Sequence, residues 1–270
     1  MRSDICLLLT STIEVASKGF VKRHDTRERL DDYKGALVKW LTRQDVLSNI
    51  VFADNSGFPL DELEAICDKH NHRGKQVEFL SFQTEGYPAG QGRSFGEIDT
   101  IKNALVRSCL LGNTKYFAKV TGRLYIPNIS SIIARIPQEF DVIARFSNNL
   151  AYTDTTLILF RTDFFAQRIL PFARRSVDDE NREYIERVFM KAILRCIADD
   201  YRWFPFPYEP VIDGMSGTKD KPYGRGRLAS IKGTLVSRLF YDYYRTVYSS
   251  KPPHILDIWK KRPTDEPTEQ

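Results

Sequence analysis

One stretch restricts this chain more than any other: residues 49–57, which read N-I-V-F-A-D-N-S-G. Ile50, Val51, Phe52 and Ala53 form a short, unbroken apolar run of β-branched and aromatic character. A strand buried on both faces of a parallel sheet has this composition, because helices cover each face and neither needs polar residues. Asp54, Asn55, Ser56 and Gly57 then favour a turn. Leu60, Leu63 and Ile66 recur at helical spacing, with Asp61, Glu62 and Glu64 between them. Asp54 is therefore expected at the carboxyl end of a buried strand, the edge where open α/β sheets take ligands. There its carboxylate either accepts hydrogen bonds from a ribose hydroxyl or a base N–H, or, with Asn55, only shapes the turn and caps the helix. The amides at the start of that helix would suit an anion.

The flanking segments repeat the pattern. Residues 5–9 read as a first buried strand ending in Thr10-Ser11-Thr12, hydroxyl residues suited to a nucleotide or to a turn. Residues 27–47 read as a helix with Leu30, Tyr33, Leu37, Trp40 and Leu41 on one stripe. A third strand is expected at 76–82, and the resulting β-α-β-α-β order predicts right-handed crossovers and a parallel sheet. Residues 84–96 hold Gly86, Gly90, Gly92, Gly96 and Pro88 and read as a loop, with neither Walker nor dinucleotide spacing. A helix is expected over 97–111, ended by Gly112-Asn113. A fourth strand starts at Tyr116 and runs through Lys119-Val120-Thr121-Gly122-Arg123 towards Ile126, where two cations bracketing a glycine suit a diphosphate or simply face solvent.

Beyond Pro127, a short helix is expected at 129–136, strands at 140–144 and 155–160, and a short helix at 163–170. A strong helix is expected over 179–198, its acidic first turns placing Glu183 and Glu186 on one face. The aromatic, proline-rich run 203–210 reads as the irregular wall of a pocket. A last helix over 228–247 carries Leu228, Ile231, Leu235, Leu239, Tyr243 and Val247 on one stripe, to dock on the core or lie on an anionic membrane. Residues 263–270 are polar.

Composition agrees with a globular domain: among 270 residues, 42% are hydrophobic and 28% charged, and the formal charge of +5 asks for no nucleic acid. Cys6, Cys67, Cys109 and Cys196 are too scattered for a zinc site or disulfide framework. No signal peptide or membrane-spanning run is read, so a cytoplasmic protein is expected.

The order of these pieces resembles the nucleotide-sugar glycosyltransferases of the GT-A fold, family 2-like, of the bacterial lipopolysaccharide and capsule type. The likeness rests on I-V-F-A-D-N-S-G at 50–57, similar to the D-N-x-S strand end of that family, and on K-V-T-G-R-L-Y-I-P-N at 119–128, similar to its K-x-T-G-R-Y stretch. The resemblance implies a Rossmann-type, mostly parallel central sheet flanked by helices, with an irregular acceptor side and a C-terminal helix. It implies one catalytic domain over 1–250, with a donor half at 1–126, an acceptor half at 127–250 and a polar tail at 251–270. The donor nucleotide-sugar would meet Thr10, Ser11, Asp54, Asn55, Ser56, Gly57, Lys119, Thr121, Gly122 and Arg123. The family's D-x-D motif, which holds Mg²⁺ or Mn²⁺ on the diphosphate, is replaced by K-V-T-G-R, so no metal ligand is assigned and metal dependence stays open. The base that activates the acceptor would be Glu186, then Glu183, then Asp154. A glycan or lipid-linked acceptor would meet Asn128, Trp203, Tyr208 and Ser216, with peripheral contact to the inner membrane face through the basic C-terminal helix. A sugar-phosphate transferase and a non-catalytic nucleotide- or glycan-binding module are the alternatives.

Overall fold

The computed structural model describes residues 4–15, 22–84, 92–217, 220–223 and 227–249, with backbone alone for 227–232 and 247–249. The glycines expected in the loop before residue 92 and the polar tail at 251–270 lie largely or wholly outside those residues.

Nine strands are present among the described residues. β1 (Ile5–Ser11), β2 (Asn49–Asp54), β3 (Gln76–Ser81), β4 (Tyr116–Thr121), β6 (Val142–Ile143), β7 (Leu157–Arg161) and β8 (Trp203–Phe204) share one sheet in the order β3-β2-β1-β4-β7-β6-β8. β5 (Leu124–Tyr125) and β9 (Asp213–Gly214) form a separate ribbon. β7 is antiparallel to both neighbours, and β6 and β8 are parallel, so every strand of the large sheet except β7 points the same way. The expected mostly parallel α/β sheet flanked by helices is what the chain forms.

Side-chain alternation along the strands divides the interior into two cores. Ile5, Leu7, Leu9, Ile50 and Phe52 pack with α1 (Thr26–Thr42), α2 (Asp61–His70) and α5 (Ile129–Arg135). Cys6, Leu8, Val51, Ala53 and Phe117 face α3 (Gly92–Arg107) and α8 (Ile185–Ala198). The uninterrupted apolar runs of β1 and β2 are thus covered on both sides, as their composition requires.

Several boundaries differ from expectation, each for a local reason. α1 stops at Thr42 because the Gln44 side chain folds back, accepting from the Leu47 amide at 3.0 Å and donating to the Trp40 carbonyl. α3 begins at Gly92, inside the expected loop, where Asp179 accepts the Ser94 N–H at 3.1 Å. α3 ends at Arg107, and Ser108 caps the separate short helix α4 (Cys109–Gly112). β4 ends at Thr121, and the chain turns at Gly122-Arg123 before β5 leaves the main sheet. Residues 162–176 are one continuous rod: α6 (Thr162–Phe164), a π-helical turn (Phe165–Ile169) and α7 (Leu170–Ser176). The wider turn precedes Pro171, whose ring nitrogen has no N–H to give to the helix. α8 starts six residues late, because Asp178 and Glu183 exchange backbone hydrogen bonds in a tight turn with Arg182 at φ 62°. Asp178 also holds the Asn181 side chain at 2.7 Å, a local alternative to helix that short polar residues offer. Trp203 and Phe204 pair with β6 as a true edge strand instead of lining an irregular wall.

Trp40 joins α1 to the ribbon: it is fully buried, donates to the Leu124 carbonyl at 2.9 Å and meets the Tyr125 ring edge-on at 4.9 Å. Trp40→Ala should lower unfolding stability by about 3–5 kcal/mol, read from the urea midpoint.

Candidate active site at the switch point of the sheet

Helices α1 and α2, which link β1 to β2 and β2 to β3, lie on one face of the sheet. α3, which links β3 to β4, lies on the other. Strand order therefore reverses direction between β1 and β4, and a crevice opens beyond their carboxyl ends, the position where such sheets bind ligands. Gly122 closes the two tips together, donating its N–H to the Thr10 carbonyl at 2.8 Å. A Cβ here would stand 3.0 Å from that oxygen and 3.3 Å from the Tyr33 ring, so the approach needs a glycine. Arg29 and Tyr33 of α1 fix the turn after β1 through the Thr12 backbone.

Asp54 is at the expected strand end but is fully buried. One carboxylate oxygen accepts from the Ser11 hydroxyl at 2.9 Å and the Ile13 amide at 2.8 Å; the other accepts from the Ser56 amide at 2.8 Å and its hydroxyl at 2.5 Å. Neither oxygen is left to greet a ribose, and the carboxylate instead ties the tip of β1 to the tip of β2. Asn55 extends the clasp, accepting from the Thr12 hydroxyl at 2.7 Å and donating to the Gly96 carbonyl at 3.1 Å. Gly57 takes φ 72° to complete the turn. Asp54 and Lys119 also leave the sheet on opposite faces, because Asp54 alternates with Ala53 and Lys119 with Ala118. The expected convergence of Asp54 with Lys119 on one ligand is therefore not the observed arrangement.

Lys119 is only 1% exposed and lies on the α3 side, where its ammonium pairs with Glu97 and donates to the Thr155 carbonyl at 2.8 Å. Next to this pair stands Glu186, in the first turn of α8. Burial, reinforced by the Glu97 charge, pushes the Glu186 carboxyl above its ordinary range, while Arg93 and Lys119 pull in the opposite direction. The Glu186 carbonyl accepts the Thr153 N–H at 3.0 Å, which brings the loop carrying Asp154 alongside. Asp154 pairs with Arg145 at 2.8 Å, and Arg145 also pairs with the buried Glu209. Glu186 and Asp154 are thus brought together near the crevice. Glu183 is not: it precedes α8 and pairs with Arg187 and Lys191 on the exposed side of that helix.

Arg123, two residues past the end of β4, donates to the Met215 carbonyl at 3.0 Å beside Gly217 and the buried Ser216. Asn128 is engaged structurally, donating to the Glu209 carbonyl and accepting from the Val211 amide, both at 2.9 Å. Trp203 is buried in β8, stacked on Phe146 at 4.3 Å and hydrogen-bonded to the Ala144 carbonyl at 3.1 Å, so it offers no face to a sugar. Tyr208 packs half-buried against the α1-side core. Among the described residues no three His, Cys, Asp or Glu side chains cluster to hold a metal. Glu97 pairs with Lys119, and Asp154 and Glu209 share the one guanidinium of Arg145, so these three carboxylates do not fit a carboxylate-held Mg²⁺ or Mn²⁺.

Glu97, Arg145 and Glu209 are the members that sequence reasoning missed. Glu97 adjoins the inward-facing Ile98, a weak sign that it lies near the core. Arg145 and Glu209 are far apart in the chain and have no local pattern that would pair them.

No protein-family model matches this sequence, and no curated protein matches it. Solved structures resemble this chain only distantly. One is the glycosyltransferase GlyE of Streptococcus pneumoniae, 9% identical over 74% of this chain and 44% of that one, with TM-score 0.46. This chain thus spans less than half the length of GlyE. A cytidylyltransferase of Leptospira borgpetersenii is 12% identical over 91% of this chain and 94% of its own, TM-score 0.42. The mannosyltransferase PcManGT of Pyrobaculum calidifontis, solved with GDP-Man and Mn²⁺, is 10% identical over 74% of this chain and 53% of its own, TM-score 0.41.

Removing the Asp54 carboxylate would take the acceptor from the Ile13 and Ser56 amides and the Ser56 hydroxyl at the sheet edge. Asp54→Ala should cost about 3 kcal/mol or more, seen as a lowered melting temperature. Glu186 gives the opposite sign. Below its ordinary value of 4.5 the carboxyl is neutral in both folded and unfolded chains. As pH rises through the raised folded value, the unfolded chain releases its proton first and stability falls. Glu186→Gln cannot titrate, so its melting temperature should exceed the wild type's near neutral pH, with the gain shrinking to nothing in acid.

Proposed function

We propose that this protein is a glycosyltransferase that moves a sugar from a nucleotide-sugar donor to a glycan or lipid-linked acceptor in bacterial lipopolysaccharide or capsule assembly. The observation that carries the reading is Glu186: a carboxylate held above its ordinary pKa at the switch-point crevice, within the field of Lys119 and Arg93. A raised carboxyl is a stronger base once ionised, and its proton affinity lies closer to working pH.

In the proposed step the acceptor hydroxyl oxygen attacks the anomeric carbon of the donor. The bond from that carbon to the diphosphate oxygen breaks, and its electron pair leaves with the nucleoside diphosphate. Glu186 takes the hydroxyl proton. Arg123, just past the tip of β4, faces the developing negative charge. Thr10, Ser11, Asn55, Ser56 and Gly57 form the donor edge, and Asp54 acts through them by fixing their backbone. Lys119 neutralises Glu97, which keeps Glu186 from standing beside an uncompensated second carboxylate. Asp154, locked to Arg145, shapes the acceptor side together with Ser216 and Tyr208.

Purified protein should show a rise in melting temperature with one among UDP-, GDP-, CMP- and TDP-sugars, tested with and without Mn²⁺. Glu186→Gln should keep that rise and lose turnover by about 10²–10⁴-fold, and the wild-type rate should fall in acid as Glu186 becomes protonated. Unchanged turnover in this variant would remove the assignment. A donor that binds with no turnover in any wild-type preparation would favour a binding module.

A further inference from the structure

The C-terminal helix α9 (Arg227–Ser249) was expected either to dock its apolar stripe on the core or to present it outward. It docks by a different edge. Tyr241 is fully buried, donates to the Arg135 carbonyl at 2.5 Å and lies 6.5 Å from the Phe204 ring. Tyr244 meets Trp203 edge-on at 5.0 Å, and Ser237 lies 3.5 Å from the Glu209 carboxylate. The stripe itself faces away: Leu235, Val236, Leu239, Phe240 and Tyr243 are each between 52% and 73% exposed. Leu235, Leu239 and Tyr243 follow one another at four-residue steps, with Val236 and Phe240 on the adjoining row, so the five form one surface. A contiguous apolar surface of this kind marks an interaction site.

Charge selects the occupant. The helix carries Arg227, Lys232, Arg238 and Arg245 against a single acid, Asp242. That acid is already paired with Arg135 at 2.9 Å. Arg245 further borders an open cleft of about 680 Å³ that Arg135, Arg202 and one acid, Glu139, also line, so cations outnumber acids there. A second copy would set the same positive excess against itself. An anionic lipid surface satisfies both the apolar stripe and the cations, and aromatic side chains such as Phe240 and Tyr243 suit the headgroup boundary. No helix among the described residues is long and apolar enough to cross a membrane, so this helix would lie along one.

We propose that α9 is the face by which the protein rests on an anionic membrane, with Leu235, Val236, Leu239, Phe240 and Tyr243 entering the headgroup–acyl boundary. Ser237 and Gly233 adjoin Glu209, whose partner Arg145 holds Asp154, so membrane docking sets the switch-point crevice close to the lipid surface. On the transferase reading above, this places a lipid-linked acceptor within reach.

Flotation of the full chain with vesicles decides the matter. It should rise with phosphatidylcholine vesicles that contain phosphatidylglycerol, rise far less with phosphatidylcholine alone, and dissociate as salt screens the cations. Leu239→Glu and Phe240→Ser, both at exposed positions, should keep the wild-type melting temperature and weaken partitioning about tenfold or more. Equal flotation by these variants, or none by the wild type, would overturn the proposal. So would a wild-type dimer that Leu239→Glu converts to a monomer while neither form binds vesicles. Flotation is read without turnover, so a failed transferase assay would leave it standing; donor hydrolysis retained in Leu239→Glu would separate docking from chemistry.

Discussion

A lysine ammonium inside a protein must find a counter-charge, and Lys119 meets that requirement in the middle of the central sheet. It occupies a strand position whose neighbours on the same face are Leu8, Phe117 and Ile158, all buried. Leaving the charge unpaired there would cost several kcal/mol, so the first turns of α3 must deliver Glu97 to it. That constraint fixes how α3 lies across the sheet, and with it the Asn55–Gly96 contact and the surroundings of Glu186. The same pairing explains why Lys119 is a part of the framework and Arg123, one turn later, is the cation left near the rim.

Two ionic clusters border the crevice, Lys119 with Glu97 and Arg145 with Asp154 and Glu209. Each carboxylate in them touches a cation, Asp154 and Glu209 sharing one. Glu186 differs in being half-buried in the field of Glu97, an arrangement that disfavours the fold at neutral pH and is characteristic of groups retained for chemistry. Asp54 shows the contrary design. With four hydrogen bonds to the β1 and β2 tips it stabilises the edge on which a ligand would rest.

The sheet could be read from the chain because buried parallel strands are written in consecutive residues: Ile5 to Leu9 and Ile50 to Ala53 need no distant partner to be recognised. The helix starts could not. α3 owes its first turn to Asp179, and α8 loses its first turns to the Asp178–Glu183 loop, and both effects depend on contacts or turn chemistry that periodicity ignores. The site was legible only in part. Glu186 stood out as an acid ahead of an apolar stripe, but its companion Glu97 comes from another helix and Arg145 and Glu209 from separate loops. Asp54 is placed by its position at a strand end, while its role depends on donors from Ser11, the last residue of β1, and Ile13, just beyond it. For α9, periodicity put Leu235, Leu239 and Tyr243 on one face and left open its direction, since a helix can dock through tyrosines lying off that face. The side chains of Leu228, Ile231 and Val247 lie outside the described residues.

The two rims of the large sheet are finished in different ways. β3 is half-exposed and carries Gln76, Glu78 and Ser81 along it, polar residues that discourage a stray strand from adding on. β8 has only Trp203 and Phe204, both apolar, and depends on Tyr241 and Tyr244 of α9 to cover them. A chain cut short before α9 would therefore expose a sticky aromatic margin, and its expected failure is self-association into insoluble material, even with the crevice residues all in place.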